Sequence, residues 1–165
     1  SEREGRSREQ STFTSTVRFL VTIYTIGFTK KSAKEFFEAL RGSGAKHLLD
    51  IRLHNTSQMA GFTKRDDLRY FARQIVNMEY HELPILAPEG WLLSEYRKTA
   101  AWAKFEQGYL DLIRRRKVER YIDPGLFEDG VVLLCSEVKP DRCHRRLAAE
   151  YLARSMLSDA NIEHL

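Results

Sequence analysis

The stretch VVLLCSEVKPDRCHRRLAAEYLARSM, which runs from Val131 to Met156, decides the fold. Its first five residues, Val131 to Cys135, are apolar and predict a strand buried on both faces, as in the middle of a parallel sheet. Polar residues and Pro140 end this run, Asp141 is a candidate N-cap, and an apolar stripe then predicts a helix. The turn between strand and helix is therefore expected at the carboxyl edge of an α/β sheet, where ligands bind.

That turn is rich in side chains that carry chemistry, namely Cys135, Glu137, Cys143, His144, Arg145 and Arg146. We expect Cys143 and His144 in the first helical turn, where free N–H groups and the helix dipole favour a thiolate or a bound anion. The planar forks of the arginines suit carboxylates and phosphates. The spacing is equally compatible with solvated arginines and a cysteine that only packs, so the turn is a candidate site.

Length and composition predict one domain over residues 17–165, preceded by a polar arm, residues 1–16, that we expect to be disordered or loosely ordered. A net charge of +4 is compatible with polyanionic partners, including nucleic acid.

Two cysteines outside any CxxC motif favour a reduced, cytoplasmic compartment. The sequence has neither an apolar run of membrane-spanning length nor a signal-peptide core, so we expect no membrane partner. The sequence does not determine the oligomeric state.

Strand and helix patterns alternate along the rest of the chain. Strands are predicted over residues 17–26, 46–52, 78–83 and 131–135, with a fifth near 161–165. The intervening helices begin after Ser32, at Asp66 and at Leu92, the last running to Tyr121. This alternation predicts a mainly parallel sheet of four to five strands with helices on both faces.

Further candidate residues follow the earlier strands. Gly27 ends the first strand and allows close approach of a ligand, while Asp50 and Arg52 close the second. A long irregular stretch follows, and such loops are often functional. Neither GxGxxG nor GxxxxGK[ST] follows the first strand, so we expect no cofactor bound through these motifs.

Four segments taken together resemble the family called domain of unknown function 488: YTIGFT, LLDIRLHNTSQMAGFTK, YHELPILAPE and LLCSEVKPDRCHR. The resemblance spans about Ile23 to Leu165 and implies a flavodoxin-like three-layer α/β sandwich. It also implies that the matching positions share one cleft at the carboxyl edge: Gly27, Asp50, Arg52, Glu137, Cys143, His144 and Arg145. The family usually has histidine and serine after the first glycine, where this chain has Phe28 and Thr29.

The first functional hypothesis is an enzyme or binding protein for a phosphate-bearing ligand, such as a nucleotide or nucleic acid. Gly27, Arg52 and Arg145 would bind the ligand beside the helix start. Glu137 or Asp50 would act as acid or base, with a pKa tuned by burial and by the nearby arginines.

A second hypothesis is a cysteine-dependent redox or sulfur-handling enzyme, with Cys143 activated by the helix start and His144. Adjacent helical residues point about 100° apart, so His144 would be poorly placed to deprotonate Cys143. Cys135 would need its side chain in the same cleft.

A third hypothesis is a non-catalytic nucleic-acid-binding module that uses RRRKVER, residues 114–120, with nearby aromatic residues and the 55–65 loop. A metal site formed by Cys135, Glu137, Cys143 and His144 has no standard zinc spacing, so we expect no metal.

Overall fold

The computed structural model describes residues 20–56, 61–137 and 139–165. The predicted N-terminal arm and the first three residues of the predicted first strand lie outside these ranges. Within them, five strands form one parallel sheet: Val21–Gly27 (β1), His47–Asp50 (β2), Glu79–Glu82 (β3), Val131–Cys135 (β4) and Ala160–His164 (β5). Their order across the sheet is β3-β2-β4-β1-β5, and every pair is parallel.

Six α-helices connect the strands in the described residues: Ala33–Ser43 (α1), Arg65–Val76 (α2), Gly90–Thr99 (α3), Trp102–Arg116 (α4), Gly125–Asp129 (α5) and His144–Met156 (α6). The helix α1 begins where the sequence predicts. The Ser32 side chain accepts a hydrogen bond from the N–H of Glu35, whose carboxylate accepts one from the N–H of Ser32, which forms a capping box. Gly44, with a φ of 69°, ends the helix.

The helices cover both faces of the sheet, which confirms the predicted three-layer α/β sandwich. On one face, α1 and α2 pack Phe36, Phe37 and Leu68 against apolar residues of β2 and β4. On the other face, α4 and α6 contribute Tyr109 and Leu152 to a second core. The central strand β4 is buried along its whole length, as its continuous apolar run predicts.

The single helix predicted from Leu92 to Tyr121 is wrong, because the chain forms two helices with a turn between them. Ala100 adopts a left-handed φ of 53°. The Thr99 hydroxyl donates to the carbonyl of Glu95 and accepts from the N–H of Ala101. A threonine side chain that bonds to nearby backbone groups competes with the hydrogen bonds of the helix, and this competition ends α3. The sequence has no glycine or proline here that would predict the end of the helix.

The topology creates a crevice beside the carboxyl end of β4. The chain leaves β1 toward α1 on one face, and it leaves β4 toward α6 on the opposite face. Because β1 and β4 are neighbours in the sheet, the segments that leave them diverge to opposite faces. The place where they diverge is a topological switch point, and open α/β sheets bind ligands at such points. No helix in the described part of the chain is long and apolar enough to cross a membrane.

Candidate functional site at the carboxyl edge of the sheet

The loops that follow β1 and β4 are packed directly on each other. Gly27 lies opposite Cys135 in the sheet register, and the N–H of Thr29 donates to the carbonyl of Ser136 over 3.1 Å. A Cβ at residue 27 would lie 1.6 Å from the carbonyl oxygen of Glu137 and 2.3 Å from Nη1 of Arg145. Glycine is therefore required at position 27 by the packing of this chain's own loop and arginine.

Two thiols meet beneath these loops. The Sγ atoms of Cys135, at the end of β4, and Cys143, just before α6, lie 2.6 Å apart, and both residues are at most 2% exposed. Both cysteines are free thiols. Cys135 Sγ also lies 3.4 Å from the backbone N of Glu137 and 3.6 Å from Nη1 of Arg145, both of which are donors. The hypothesis of a cysteine-dependent enzyme required both cysteines in one cleft, and the structure places Cys135 beside Cys143 there.

The structure corrects the predicted start of the last helix. Cys143, rather than Asp141, is the N-cap residue, and its sulfur accepts a hydrogen bond from the N–H of Arg145 at 3.5 Å. Cys143 has extended backbone angles, φ −136° and ψ 141°, so the argument from a helical rotation of about 100° between adjacent residues does not apply to it. Its Sγ lies 4.0 Å from Nδ1 of His144.

The two thiols have different acidities. Burial alone would raise the pKa of Cys135, but the hydrogen bond from Cys143 and the positive charge of Arg145 lower it below that of an ordinary cysteine. The pKa of Cys143 is raised, because its thiol proton is held in the bond to Cys135 and because it is buried. The pair therefore favours a single thiolate on Cys135, with Cys143 as the protonated partner.

His144 is a buried, neutral imidazole. Its Nε2 lies 2.8 Å from the carbonyl oxygen of Ile51, which can only accept, so Nε2 carries the proton and Nδ1 has the lone pair. Burial lowers the pKa of His144 to about 4, against the opposing effect of the Ile51 carbonyl. His144 is thus a weak base at neutral pH, with the Nδ1 lone pair near the sulfur of Cys143.

Asp50 and Arg52 form a buried ion pair beside this centre. Arg52 donates from Nε and Nη2 to the two carboxylate oxygens of Asp50 at 2.9 and 2.8 Å, and Nη2 also donates to the carbonyl of Thr63 at 2.7 Å. The Tyr80 hydroxyl donates to the same carboxylate. With a side chain that is 0% exposed and these donors around it, Asp50 is bound to the protein's own groups.

A cavity of about 760 Å³ opens above the thiols. Cationic side chains surround it: Lys30, Lys31, Arg52, Arg97 and Arg142. Glu137 is the one acidic residue among the described residues that line it. Burial, and then the charge of Arg145, lower the pKa of Lys31, as expected where positive charges are concentrated.

Aromatic and apolar side chains form the remaining walls of the cavity. The rings are Phe28, Phe62, Tyr96 and Phe105. The ring centroid of Phe28 lies 5.5 Å from the guanidinium carbon of Arg52. A cavity of this volume with apolar walls and a few charged groups has the form of a small-molecule site.

The cavity brings together only part of the predicted set. Arg52, Glu137, Cys143 and His144 line it, with Cys135 in the floor. Gly27, Asp50 and Arg145 lie just behind the wall, where Arg145 is fully buried and donates to the Glu137 carbonyl. Glu137 is exposed, whereas the sequence argument assumed a buried carboxyl.

Sequence reasoning missed most of the cavity's cations, and of its wall aromatics it drew attention at this edge only to Phe28. Lys30 and Lys31 lie in the loop after β1, and the position of this loop at the carboxyl edge of the sheet was the signal that could have indicated them. Arg97 and Tyr96 come from α3, which reaches the site through tertiary packing that no local pattern reveals.

The predicted nucleic-acid face lacks one of its aromatic members. Tyr109 is 0% exposed, and its hydroxyl donates to the carbonyl of Leu86 at 2.7 Å. In the RRRKVER stretch, Arg116 donates to the carbonyls of Ile85 and Ala87. These contacts anchor α4 to the body of the domain.

Two groups of side chains in the described residues have ligand atoms close enough to hold a metal ion. Cys135, Cys143 and His144 form one, with ligand atoms within 4.8 Å of one another. Two thiolates on one tetrahedral zinc are about 3.8 Å apart for Zn–S bonds of about 2.3 Å, so the sulfurs would have to separate. His47, Glu79 and His81 form the other group at the start of β2 and β3, where His47 Nδ1 lies 2.9 Å from His81 Nε2.

The comparison with protein families identifies the family of the chain. The model of the family described as domain of unknown function DUF488 matches residues 32–152, and the chain therefore belongs to that family. No curated protein and no solved structure matches the chain significantly. The matched range contains Cys135, Cys143 and most of the cavity wall.

Proposed function

We propose that the cavity at the carboxyl ends of β1 and β4 binds a phosphate-bearing ligand of nucleotide size. The observation that carries this proposal is the composition of the cavity wall, in which four cationic residues, besides Arg52 with its Asp50 partner, accompany a single acidic one among the described residues. Phosphate groups are held in proteins by such clusters of lysine and arginine.

The aromatic walls favour a nucleotide over free phosphate. Rings such as Phe28, Phe62 and Tyr96 offer faces on which a nucleobase stacks. The volume of about 760 Å³ also exceeds the need of a small inorganic anion. Arg52 is already bound to Asp50, so we assign the phosphates chiefly to Lys30, Lys31, Arg97 and Arg142.

A thermal-shift screen against nucleotides, nucleosides, inorganic phosphate and short DNA and RNA tests this function. A ligand that binds the native state raises the melting temperature by mass action. We expect the largest shift with nucleotides and a small one with nucleosides. Shifts with DNA or RNA alone, weakened by salt, would contradict the proposal and favour the nucleic-acid-binding alternative.

Matched charge variants show whether the shift comes from the cavity. Arg142→Gln removes a cation from the wall, whereas Arg115→Gln removes one from the exposed end of α4. Loss of one charge-assisted phosphate contact should weaken nucleotide binding about tenfold. Equal binding by both variants would overturn the assignment of this cavity.

A further inference from the structure

The two cysteines in the cavity floor are not among the residues assigned above to the phosphates. Three donors surround Cys135 Sγ: the Cys143 thiol at 2.6 Å, the Glu137 N–H at 3.4 Å and the Arg145 guanidinium at 3.6 Å. A buried thiolate needs such donors to offset its loss of hydration. Of the cysteines, Cys135 is thus equipped to be the nucleophile.

Cys143 is placed to react with whatever forms on Cys135. Its sulfur is already in contact with Cys135 Sγ. Its raised pKa keeps the proton on the sulfur until a disulfide forms. Nδ1 of His144, which carries a lone pair, lies 4.0 Å from the sulfur of Cys143. A nucleophilic thiolate beside a second thiol is the arrangement that forms a disulfide after oxidation.

We propose that Cys135 and Cys143 form a two-electron dithiol/disulfide centre that reduces small hydroperoxides entering through the cavity. The substrate class follows from access: both thiols line the cavity, but Cys135 is only 1% exposed, so the reacting group must be small. Attack on a protein disulfide would require a far more open sulfur. The proposal stands apart from phosphate binding, because it depends on the floor of the cavity and not on the cations of its wall.

The reaction balances in three steps. The Cys135 thiolate attacks the terminal oxygen of the hydroperoxide, an S–O bond forms, the O–O bond breaks, and the departing alkoxide takes a proton from solvent to give an alcohol. Cys143 Sγ then attacks Cys135 Sγ, and the hydroxyl of the sulfenic acid leaves as water with the Cys143 proton. An external dithiol reduces the disulfide, returns two protons to the cysteines and is itself oxidised to a disulfide.

The full chain treated with hydrogen peroxide tests the proposal directly, because the sequence contains only these two cysteines. We expect both thiols to be lost together, the intact mass to fall by two hydrogen atoms, and dithiothreitol to restore the starting state. Thiols that persist under peroxide, or oxidation only to sulfinic acid without a disulfide, would overturn the proposal.

Two serine variants separate the roles of the cysteines. Cys143→Ser should trap a sulfenic acid on Cys135 that dimedone captures, and it should lose turnover with peroxide and dithiothreitol. In Cys135→Ser the peroxide reactivity of the remaining thiol should be at least about tenfold lower, because Cys143 Sγ accepts from the backbone N–H of Arg145 but lacks the guanidinium contact that Cys135 Sγ has. Circular dichroism and thermal melting check that each variant is folded. Dimedone labelling of Cys143 in Cys135→Ser, together with no labelling of Cys135 in Cys143→Ser, would contradict the assignment of Cys135 as the nucleophile.

Elemental analysis of the purified, reduced chain distinguishes this redox centre from a metal site. We expect no stoichiometric transition metal. One equivalent of zinc or copper that disappears in Cys143→Ser, while the thiols of the native chain resist peroxide, would overturn the proposal in favour of a metal centre.

Discussion

Two buried arginines lie at the same edge of the sheet, yet they have different roles. Arg52 follows β2 and donates twice to the carboxylate of Asp50, so its charge is neutralised by a residue two positions away. Arg145 lies in the first turn of α6, where it contacts the Glu137 carbonyl and the sulfur of Cys135. The first arginine stabilises the fold beneath the cavity, and the second supports negative charge on a thiol in the cavity floor. The role of an arginine in a candidate site therefore depends on its hydrogen-bond partners and not on its position in the site.

The largest expected effect comes from breaking the Asp50–Arg52 pair. Asp50→Asn leaves the Arg52 charge buried without a carboxylate, which should lower the free energy of unfolding by about 3–5 kcal/mol. Urea denaturation measures this change. Asp129→Asn is the matched control, because that carboxylate is 65% exposed and its loss should cost less than about 1 kcal/mol. Equal effects of the two substitutions would show that Asp50 is not a structural partner.

The next effect is a pH dependence that originates at His144. Its pKa is about 4 in the folded chain and near 6.5 in the unfolded chain, so between these pH values only the unfolded chain binds the proton. The free energy of unfolding should therefore fall by about 3 kcal/mol as the pH is lowered across this window. His144→Gln should remove that part of the pH dependence. A parallel pH profile in the variant would contradict a buried neutral imidazole.

Gly27 tests how tightly the two loops are packed. In Gly27→Ala the new methyl group would overlap the Glu137 carbonyl and the Arg145 guanidinium, so the loop must move at a cost of about 1–3 kcal/mol. Gly42→Ala is the control, because nothing lies within 4 Å of a Cβ there and alanine favours the helix α1. Thermal melting should show destabilisation in the first variant and a slight gain in the second. A neutral Gly27→Ala would show that the loop is not held by these contacts.

The smallest expected effect concerns the charge of Arg145. Arg145→Met should raise the pKa of Cys135 and slow its alkylation at neutral pH by about tenfold, whereas Arg145→Lys should retain part of the rate. Rates measured against pH distinguish a shifted thiol pKa from a general change in access. Melting temperatures of both variants show whether the fold survives. Identical profiles for methionine and lysine would contradict the electrostatic role.

The architecture and the position of the site are readable from the sequence because both follow from local patterns. The apolar run Val131–Cys135 identifies the central strand, and the turn after it identifies the carboxyl edge. The capping box at Ser32 is likewise a local signal, and the structure shows it in full. Strand order is not local, and it is this order that places β1 beside β4 and so creates the crevice.

The roles of individual residues were harder to predict, because they depend on contacts between distant segments. Asp50 and Arg52 were candidates for catalysis and ligand binding, but their partners include Thr63 and Tyr80, which lie 11 and 30 positions from Arg52 and Asp50. The role of Cys135 depends on the contact between its sulfur and that of Cys143, which no local pattern predicts. The turn between α3 and α4 carries no glycine or proline, and the periodicity continues across it.

Protection of the thiols by a nucleotide tests most directly whether this cavity is the ligand site. The nucleotide that gives the largest thermal shift is added at saturation, and the rate of iodoacetamide labelling at Cys135 and Cys143 is followed by mass spectrometry. A ligand in the cavity covers both thiols, so labelling should slow markedly in the native chain and in Arg115→Gln, and much less in Arg142→Gln at the same nucleotide concentration. A nucleotide that raises the melting temperature but leaves the labelling rates unchanged would bind elsewhere and would contradict the account.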